Sequence, residues 1–292
     1  MARFMSPSIL ITGATGTIGS ELAKQLSEKG IPFRAMIRSA ARAESLASLK
    51  GAELITGDFN DPVSIRKALE GIDRVFLLTN STPQAEAQQM LFAELVKESG
   101  VGHIVKLSQL AAELNSPVRF LRYHAAVEQK IRSLGMDFTF LRPNLFMQGL
   151  LAFRDPIIHQ GKFFAAIGDA AISLVDIRDI ASVAASALTE SGHAGKTYDI
   201  TGPETLTHDQ IAQVFSEVLG RQIRFIEVSP DDMRQAILGA GFPEWQADGL
   251  IEDYAHYARG EAAAVSTVVK DITGKQARDL KNFIRDHIEL FR

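Results

Sequence analysis

The stretch ILITGATGTIG, residues 9–19, is a short apolar run that continues into three glycines spaced three residues apart: Gly13, Gly16 and Gly19. A helical pattern follows at once, with apolar residues every four positions. Strand, glycine turn and helix start together suit the pyrophosphate of a dinucleotide, because glycine permits close approach and the helix start has unpaired N–H groups. The alternative is a tight turn with a structural role only. Because both flanking elements are present, we favour the nucleotide site, with Thr15, Thr17 and Ile18 among its contacts.

The composition is that of a globular chain, with 292 residues, 46% hydrophobic and 23% charged. The net charge of −4 gives no electrostatic reason to expect nucleic acid or an anionic membrane as partner. The chain has no cysteine, which excludes disulfides, a cysteine nucleophile and thiolate metal ligands. No apolar run approaches membrane-spanning length, and the segment before the first strand is too short for a signal peptide. We therefore expect a cytoplasmic protein.

Apolar runs that read as strands alternate with amphipathic helices through the first half of the chain. The later predicted strands cover residues 32–37, 52–56, 73–79, 103–107 and 138–141. This alternation predicts an α/β fold, a Rossmann-like doubly wound parallel sheet with helices on both faces, whose ligands bind at the carboxyl ends of the strands. The alternation lapses after Pro143. We predict a dinucleotide-binding domain over 1–145 and a smaller C-terminal α/β lobe over 146–292, partly interleaved with it, including an extended segment at 196–201.

Arg38 stands at the end of the second predicted strand, about twenty residues after Gly19, as this motif requires. An acidic residue there selects NAD through the ribose hydroxyls, whereas an arginine accommodates the 2′-phosphate of NADP. No carboxylate is present, and Arg42 follows one turn later. NADP, as NADPH, is therefore favoured over NAD. The alternative is a solvated arginine at a strand end.

These residues resemble the NmrA-like branch of the atypical short-chain dehydrogenases/reductases. Further segments that carry the resemblance are Gly57-Asp58, Leu107-Ser108, Leu141-Arg142-Pro143-Asn144 and residues 193–202. The last of these is similar to the C-terminal lobe of quinone oxidoreductases and triphenylmethane-dye reductases of that branch. The resemblance implies that Asp58 and Phe59 contact the adenine, that Thr79 and Asn80 lie along the adenosine and ribose, and that Ser108 lies near the nicotinamide.

The chain departs from the wider superfamily in its tyrosines. Most short-chain dehydrogenases use a tyrosine with a lysine four residues later as their acid or base. This chain has four tyrosines, and none has a lysine at that spacing. Carbonyl reduction by the tyrosine route is therefore not expected.

His124 occupies the position of that tyrosine, and Glu128 the position of the lysine. One turn apart on a helix, the two side chains can meet. One interpretation makes His124 a catalytic proton donor or a polar contact to the substrate, since imidazole titrates near neutral pH. The other makes it a core histidine, because it lies on the apolar face of its helix.

A quinone or a similar planar, electron-poor acceptor needs no such acid, because it takes hydride directly and its product collects a proton from solvent. Orientation in a dry pocket then suffices. We assign Asn144, Phe146 and Phe163 to the substrate side, although aromatic residues there also suit an ordinary core. The favoured function is an NAD(P)H-dependent oxidoreductase that acts on a small-molecule acceptor.

The competing hypothesis is a non-catalytic NADP(H) redox sensor that acts through a protein partner. The apolar region from Trp245 to Tyr257 is a candidate partner surface, or part of the protein's own core. A homodimer is left open. No metal site is expected, since the seven histidines show no ligand spacing, and Asp176 with Asp179 is better explained by helix capping than by metal binding.

Overall fold

The structure is a computed structural model that describes residues 8–39 and 43–292. Strands and helices alternate through the first half of the described chain. In order these are β1 (Ile9–Ile11), α1 (Thr17–Glu28), β2 (Phe33–Ile37), α2 (Glu44–Ala47), β3 (Ala52–Thr56), α3 (Pro62–Leu69), β4 (Arg74–Leu77), α4 (Ala85–Glu98), β5 (His103–Leu107), α5 (Arg119–Ser133) and β6 (Asp137–Pro143). Arg42 lies outside the described residues.

The second half of the chain has shorter strands and more helices. It contains α6 (Arg154–Gln160), β7 (Lys162–Ala165), β8 (Ala171–Ile172), α7 (Ile177–Thr189), β9 (Lys196–Ile200), β10 (Leu206–Thr207), α8 (His208–Leu219), β11 (Arg224–Glu227), α9 (Pro230–Gly239), α10 (Glu244–Ala258), α11 (Val268–Thr273) and α12 (Leu280–Asp286).

The main sheet has seven strands in the order β3-β2-β1-β4-β5-β6-β9, and every neighbouring pair is parallel. The chain starts at β1, runs outward to β3, and then returns to β4 on the other side of β1. This reversal confirms the predicted doubly wound sheet, and it opens a crevice beside the carboxyl end of β1.

Successive residues of a strand face opposite sides of the sheet, so each strand serves two cores. Ile9 and Ile11 belong to the core on the side of α1 and α7. Leu10, between them, belongs to the core formed with α3, α4 and α5. Because helices cover both faces of the sheet, its central strands β1 and β4 are almost entirely buried and apolar, which is the pattern that the sequence presents.

The C-terminal part forms a second core around two small sheets, one pairing β7 with β11 and the other β8 with β10. The extended segment predicted at 196–201 is not part of this lobe. It forms β9, the seventh strand of the main sheet, with Tyr198 beside Leu141. Helix α7 likewise packs on α1. The chain therefore returns from the second lobe to complete the first sheet.

Helix α7 begins at a buried carboxylate. The Asp176 side chain is fully buried and accepts hydrogen bonds from the Arg178 backbone (2.8 Å) and guanidinium (2.6 Å) and from the Gln148 amide (3.1 Å). Burial alone would raise the pKa of Asp176, but the bonds from Arg178 hold it below its ordinary value. Asp179, one turn on, pairs with Arg278. The capping interpretation of Asp176 is therefore confirmed.

Replacement of Asp176 by alanine is expected to lower the free energy of unfolding by about 3 to 5 kcal/mol, because it removes a cap and leaves a partly buried guanidinium without its main partner. Urea denaturation measures the change. Asp155→Ala is the matched control, since that carboxylate forms an ion pair at the surface and its loss should cost less than about 1 kcal/mol. Equal costs for the two variants would contradict this account.

Candidate functional site

A cleft of about 740 Å³ runs along the carboxyl ends of the parallel strands. It lies at the reversal of strand order and is closed on one side by α10. Most of the residues chosen from the sequence line it: Gly13, Thr15, Gly16, Thr17, Ile18, Arg38, Asp58, Phe59, Thr79, Asn80, Ser108, His124, Asn144 and Phe146. Gly19 and Phe163 do not.

The glycine turn is shaped by close approaches that leave no room for a Cβ atom. Gly13 has a φ of +62°, and a Cβ there would lie 2.9 Å from the Leu78 side chain and carbonyl. The Gly16 N–H donates to the Gly13 carbonyl at 3.0 Å. A Cβ on Gly19 would lie 2.2 Å from the same carbonyl oxygen. Gly19 is therefore packed beneath the turn, and its assignment as a cofactor contact stays a prediction.

Thr12 fixes the turn against β4, and sequence reasoning missed it. Its buried hydroxyl lies 3.0 Å from both the Phe76 and Leu78 carbonyl oxygens and accepts from the Leu78 N–H at 2.9 Å. A hydroxyl residue at the end of an apolar strand, directly before the first glycine, was the available signal. The result is a rigid link between β1 and β4 at the edge of the cleft.

The N-terminus of α1 opens into the cleft. Gly16 is its N-cap, no side chain caps it, and its first turn has no acidic residue. Thr15, Gly16 and Thr17 are exposed. The unpaired N–H groups and the positive end of the helix dipole are thus accessible to an anion. Together with the glycine turn, this arrangement fits a dinucleotide pyrophosphate.

One end of the cleft is polar and partly open. Arg38 follows β2 there and is exposed. Asp58 accepts from the Asn60 N–H at 2.7 Å, and the Phe59 ring packs 5.3 Å from Phe92. The Gln89 amide donates to the Thr79 hydroxyl at 2.8 Å, while its own buried carbonyl oxygen has no partner among the described residues.

Glu128 does not pair with His124, contrary to the sequence expectation. The buried Glu128 carboxylate accepts from the Ser108 hydroxyl at 2.5 Å and from two nitrogens of Arg142 at 2.9 and 2.6 Å. Helical spacing predicted that His124 and Glu128 share a face, but partners from β5 and β6 satisfy the carboxylate instead. Glu128 therefore orients Ser108 in the cleft.

His124 instead pairs with a buried lysine. Lys106 of β5 is completely buried, and its ammonium group donates to His124 Nδ1 at 2.7 Å and to the Leu107 carbonyl at 3.0 Å. Burial, then the charges of Lys106 and Arg142, holds the pKa of His124 well below its ordinary value. Burial also lowers the pKa of Lys106 to about 7.

This contact limits the chemical role open to His124. While Lys106 is protonated it can only donate, so Nδ1 of the imidazole is then the acceptor and the ring hydrogen lies on Nε2. His124 is therefore a neutral hydrogen-bond donor and not a reservoir of acid at neutral pH. Of the two functional interpretations made from the sequence, the geometry favours the polar contact over the proton donor.

Phe163 lies away from the cleft, which corrects its assignment to the substrate side. It is 1% exposed and packs in the second core with Phe153, Phe215 and Phe225 at ring distances of 5.6 to 6.1 Å. Asn144 lines the cleft, but its amide nitrogen also donates to Ser173 and to the Ala262 carbonyl, each at 2.8 Å. These two hydrogen bonds connect the end of β6 to the second lobe.

Helix α10 contributes a face that sequence reasoning assigned differently. Four residues spaced by four, three and four positions line the cleft: Gln246, Leu250, Asp253 and Tyr257. This helical periodicity was visible in the sequence. Trp245, proposed there as part of a partner surface, packs on Phe120 at a ring distance of 5.3 Å. The helix therefore acts as one wall of the cleft.

The fold and this cleft define a dinucleotide-binding α/β protein. The sequence matches the NmrA-like family over residues 5–284, and the chain belongs to that family. It is 36% identical to an NAD(P)H azoreductase of Xenophilus azovorans over 283 residues, covering 97% of this chain and 99% of the relative.

Two solved structures are similar over nearly the whole chain. An NADPH-dependent quinone oxidoreductase from Escherichia coli, complexed with NADPH, has a TM-score of 0.87 and 27% identity over 96% of this chain and 99% of its own. The triphenylmethane reductase of a Citrobacter species, complexed with NADP(H), has a TM-score of 0.84 and 29% identity over 96% and 99%. The predicted family and fold are confirmed.

Two kinds of feature are absent from the part of the chain that the structure describes. Within 8–39 and 43–292, no group of three histidine, aspartate or glutamate side chains is arranged to hold a metal ion. In the same part of the chain, no helix is both long and apolar enough to cross a membrane.

Substitution of Gly19 by alanine is expected to weaken NADPH binding at least about tenfold and to lower the unfolding temperature, because the new methyl group would collide with the Gly13 carbonyl. Gly149→Ala is the control, since a Cβ there meets nothing within 4 Å and its φ is not positive. Fluorescence titration with NADPH and thermal unfolding measure the two effects. A Gly19→Ala variant that binds normally would contradict the packing argument.

Replacement of Lys106 by methionine is expected to raise the pKa of His124, because a neighbouring positive charge is removed, while burial keeps it below the ordinary value. An NMR titration of the imidazole nitrogens measures the shift, with a His124→Gln variant to assign the signal. Lys130→Met, whose ammonium pairs with Glu94 on α4, should leave that pKa unchanged. An unaltered His124 pKa in the Lys106→Met variant would refute the pairing.

Proposed function

We propose that this protein is an NADPH-dependent reductase that passes hydride to a quinone or a similar planar, electron-poor acceptor. The observation that carries the proposal is that one continuous cleft presents the open N-terminus of α1, Arg38 and the Ser108 hydroxyl. These groups suit, in turn, the pyrophosphate, the 2′-phosphate and the nicotinamide end of the cofactor. The relatives named above, reductases that use NAD(P)H, support the same class.

Different residues of the cleft bind different parts of NADPH. The turn from Gly13 to Ile18 holds the pyrophosphate, and the guanidinium of Arg38 binds the 2′-phosphate. Asp58 and Phe59 lie at the adenine, with Thr79 and Asn80 along the adenosine and ribose. When bound, NADPH supplies a hydride to the acceptor.

The acceptor lies against the remaining wall of the cleft, which combines apolar and polar side chains. Phe146, Leu250 and Tyr257 give it flat and apolar surfaces. His124, with its hydrogen on Nε2, donates to an oxygen or nitrogen of the acceptor and so orients it. Catalysis of this kind depends mainly on holding the acceptor against the hydride donor with water excluded.

The sensor hypothesis is less well supported than the enzyme. Its candidate partner surface, Trp245 to Tyr257, is taken up by packing on α5 and by the wall of the cleft. The homodimer, the cytoplasmic location and the domain boundary near residue 145 stay predictions.

Replacement of Arg38 by alanine is expected to weaken NADPH binding about tenfold or more and NADH binding little, because only NADPH loses a charge-assisted contact to a phosphate. Paired fluorescence titrations with both cofactors measure this, and NADPH consumption across a panel of quinones measures turnover. Arg66→Ala, which removes an arginine paired with Glu98 on α4, is the control.

Two results would count against the proposal in different ways. Equal changes for NADPH and NADH in the Arg38→Ala variant would refute the role of Arg38. Tight NADPH binding by the unaltered protein, without turnover of any quinone, azo compound or cationic dye, would refute the reductase and favour the sensor.

A further inference from the structure

Asp253 places a carboxyl group in the wall of the cleft with no cation beside it. The side chain is 5% exposed, and its Oδ1 accepts from the Gln109 amide at 2.9 Å. Within residues 8–39 and 43–292, no lysine, arginine or histidine forms an ion pair with it. Every other buried carboxylate that the site and α7 contain has an arginine partner, as Glu128 has Arg142 and Asp176 has Arg178.

The basic residues on neighbouring elements are bound elsewhere. Arg119 of α5 is held by Glu252 at 2.7 Å, and Arg234 of α9 is held by Asp248 at 2.7 Å. Neither of these pairs includes Asp253. Glu252, the carboxylate next to Asp253 in the chain, is the partner of Arg119.

The other groups that face Asp253 are neutral. Tyr123 of α5 and Tyr254 and Tyr257 of α10 surround it closely enough that its charge raises the pKa of each phenol. Burial raises the pKa of Asp253 to about 7, the Gln109 hydrogen bond opposes this rise, and Glu252 adds to it. The carboxyl group is therefore able to hold a proton at neutral pH.

We propose that Asp253 is the catalytic acid that protonates the acceptor as it takes up hydride. This inference rests on the proposed reductase function. It replaces the expectation that the product collects its proton from solvent. Because Asp253 is itself part of the cleft wall, a proton held there has a short path to an acceptor bound in the cleft.

The step balances without a further reactant. A neutral azo or quinone acceptor gains a hydride, and with it two electrons, and its nitrogen or oxygen becomes anionic. The O–H bond of Asp253 breaks as a new N–H or O–H bond forms, which leaves the carboxylate. The oxidised cofactor and reduced acceptor then depart, and the carboxylate takes a proton from water.

The other titratable groups near the cleft are less suited to this role. Burial raises the pKa of Tyr123 to about 12, and its hydroxyl is bound to Ser81 at 3.0 Å. His124 is neutral beside Lys106. Lys106 is completely buried behind His124 and does not line the cleft.

Replacement of Asp253 by asparagine tests the proposal, because asparagine keeps the shape and a partner for Gln109 but has no acidic proton. A neutral azo dye requires a proton after hydride transfer, whereas a cationic triphenylmethane dye becomes neutral and requires none. We expect kcat to fall about 100-fold or more with the azo dye and to change less than about twofold with the cationic dye. Asp248→Asn, on the opposite side of α10, should affect neither strongly.

The pH dependence gives a second measurement. With the azo dye, kcat of the unaltered protein should fall as pH rises through about 7, and this limb should be absent in the Asp253→Asn variant. Independently of turnover, the carboxyl binds its proton more tightly in the folded state. The unaltered protein should therefore lose thermal stability relative to the variant as pH rises from about 4 to about 7.

The outcomes separate this inference from the proposed function. Equal loss with both dyes, loss with the cationic dye alone, or no loss would each overturn the acid role while leaving the reductase intact. A stability difference that does not change with pH would overturn it as well. If the unaltered protein reduces neither dye nor any quinone, both proposals fall together.

Discussion

The close contact between the start of α1 and the end of β1 is the constraint on which the rest of this structure depends. The Gly13 carbonyl accepts a hydrogen bond from the Gly16 N–H, and its oxygen leaves no space for a methyl group on Gly19. This contact brings the helix N-terminus to the crevice where the strand order reverses. The other residues that we assign to the cofactor line the cleft that opens at this crevice.

The opposite end of the cleft is held by buried polar contacts that cross several elements. Glu128 joins α5 to the ends of β5 and β6 through Ser108 and Arg142, and Lys106 fixes the ring of His124. Such networks are costly when a member is left unpaired, so each member fixes the geometry of the others. The acceptor side of the cleft is thus held by ion pairs and hydrogen bonds between buried side chains. The phosphate side is held by close backbone contacts at the glycine turn.

The sequence predicted what depends on local pattern. The glycine turn, the bounds of β3 and β5 and the parallel direction of the strands follow from apolar runs, glycine spacing and the alternation of strands with helices. Predictions failed where a side chain could pack in more than one core or pair with more than one partner. Phe163 was expected in the cleft because apolarity indicates burial without saying in which core. Glu128 was expected to meet His124 because helical spacing does not reveal what adjacent strands offer.

The position of β9 has a consequence for synthesis of the chain. Strand β6 pairs with β9, which follows β7, β8 and α7 in the chain. The edge of the main sheet therefore remains incomplete until residues near 200 have left the ribosome. Until then β6 exposes an unpaired apolar edge, which is prone to association with other chains. Once added, β9 covers it with a mostly exposed and polar strand. The nascent sheet therefore stays open at β6 until the elements that precede β9 in the chain have been synthesised.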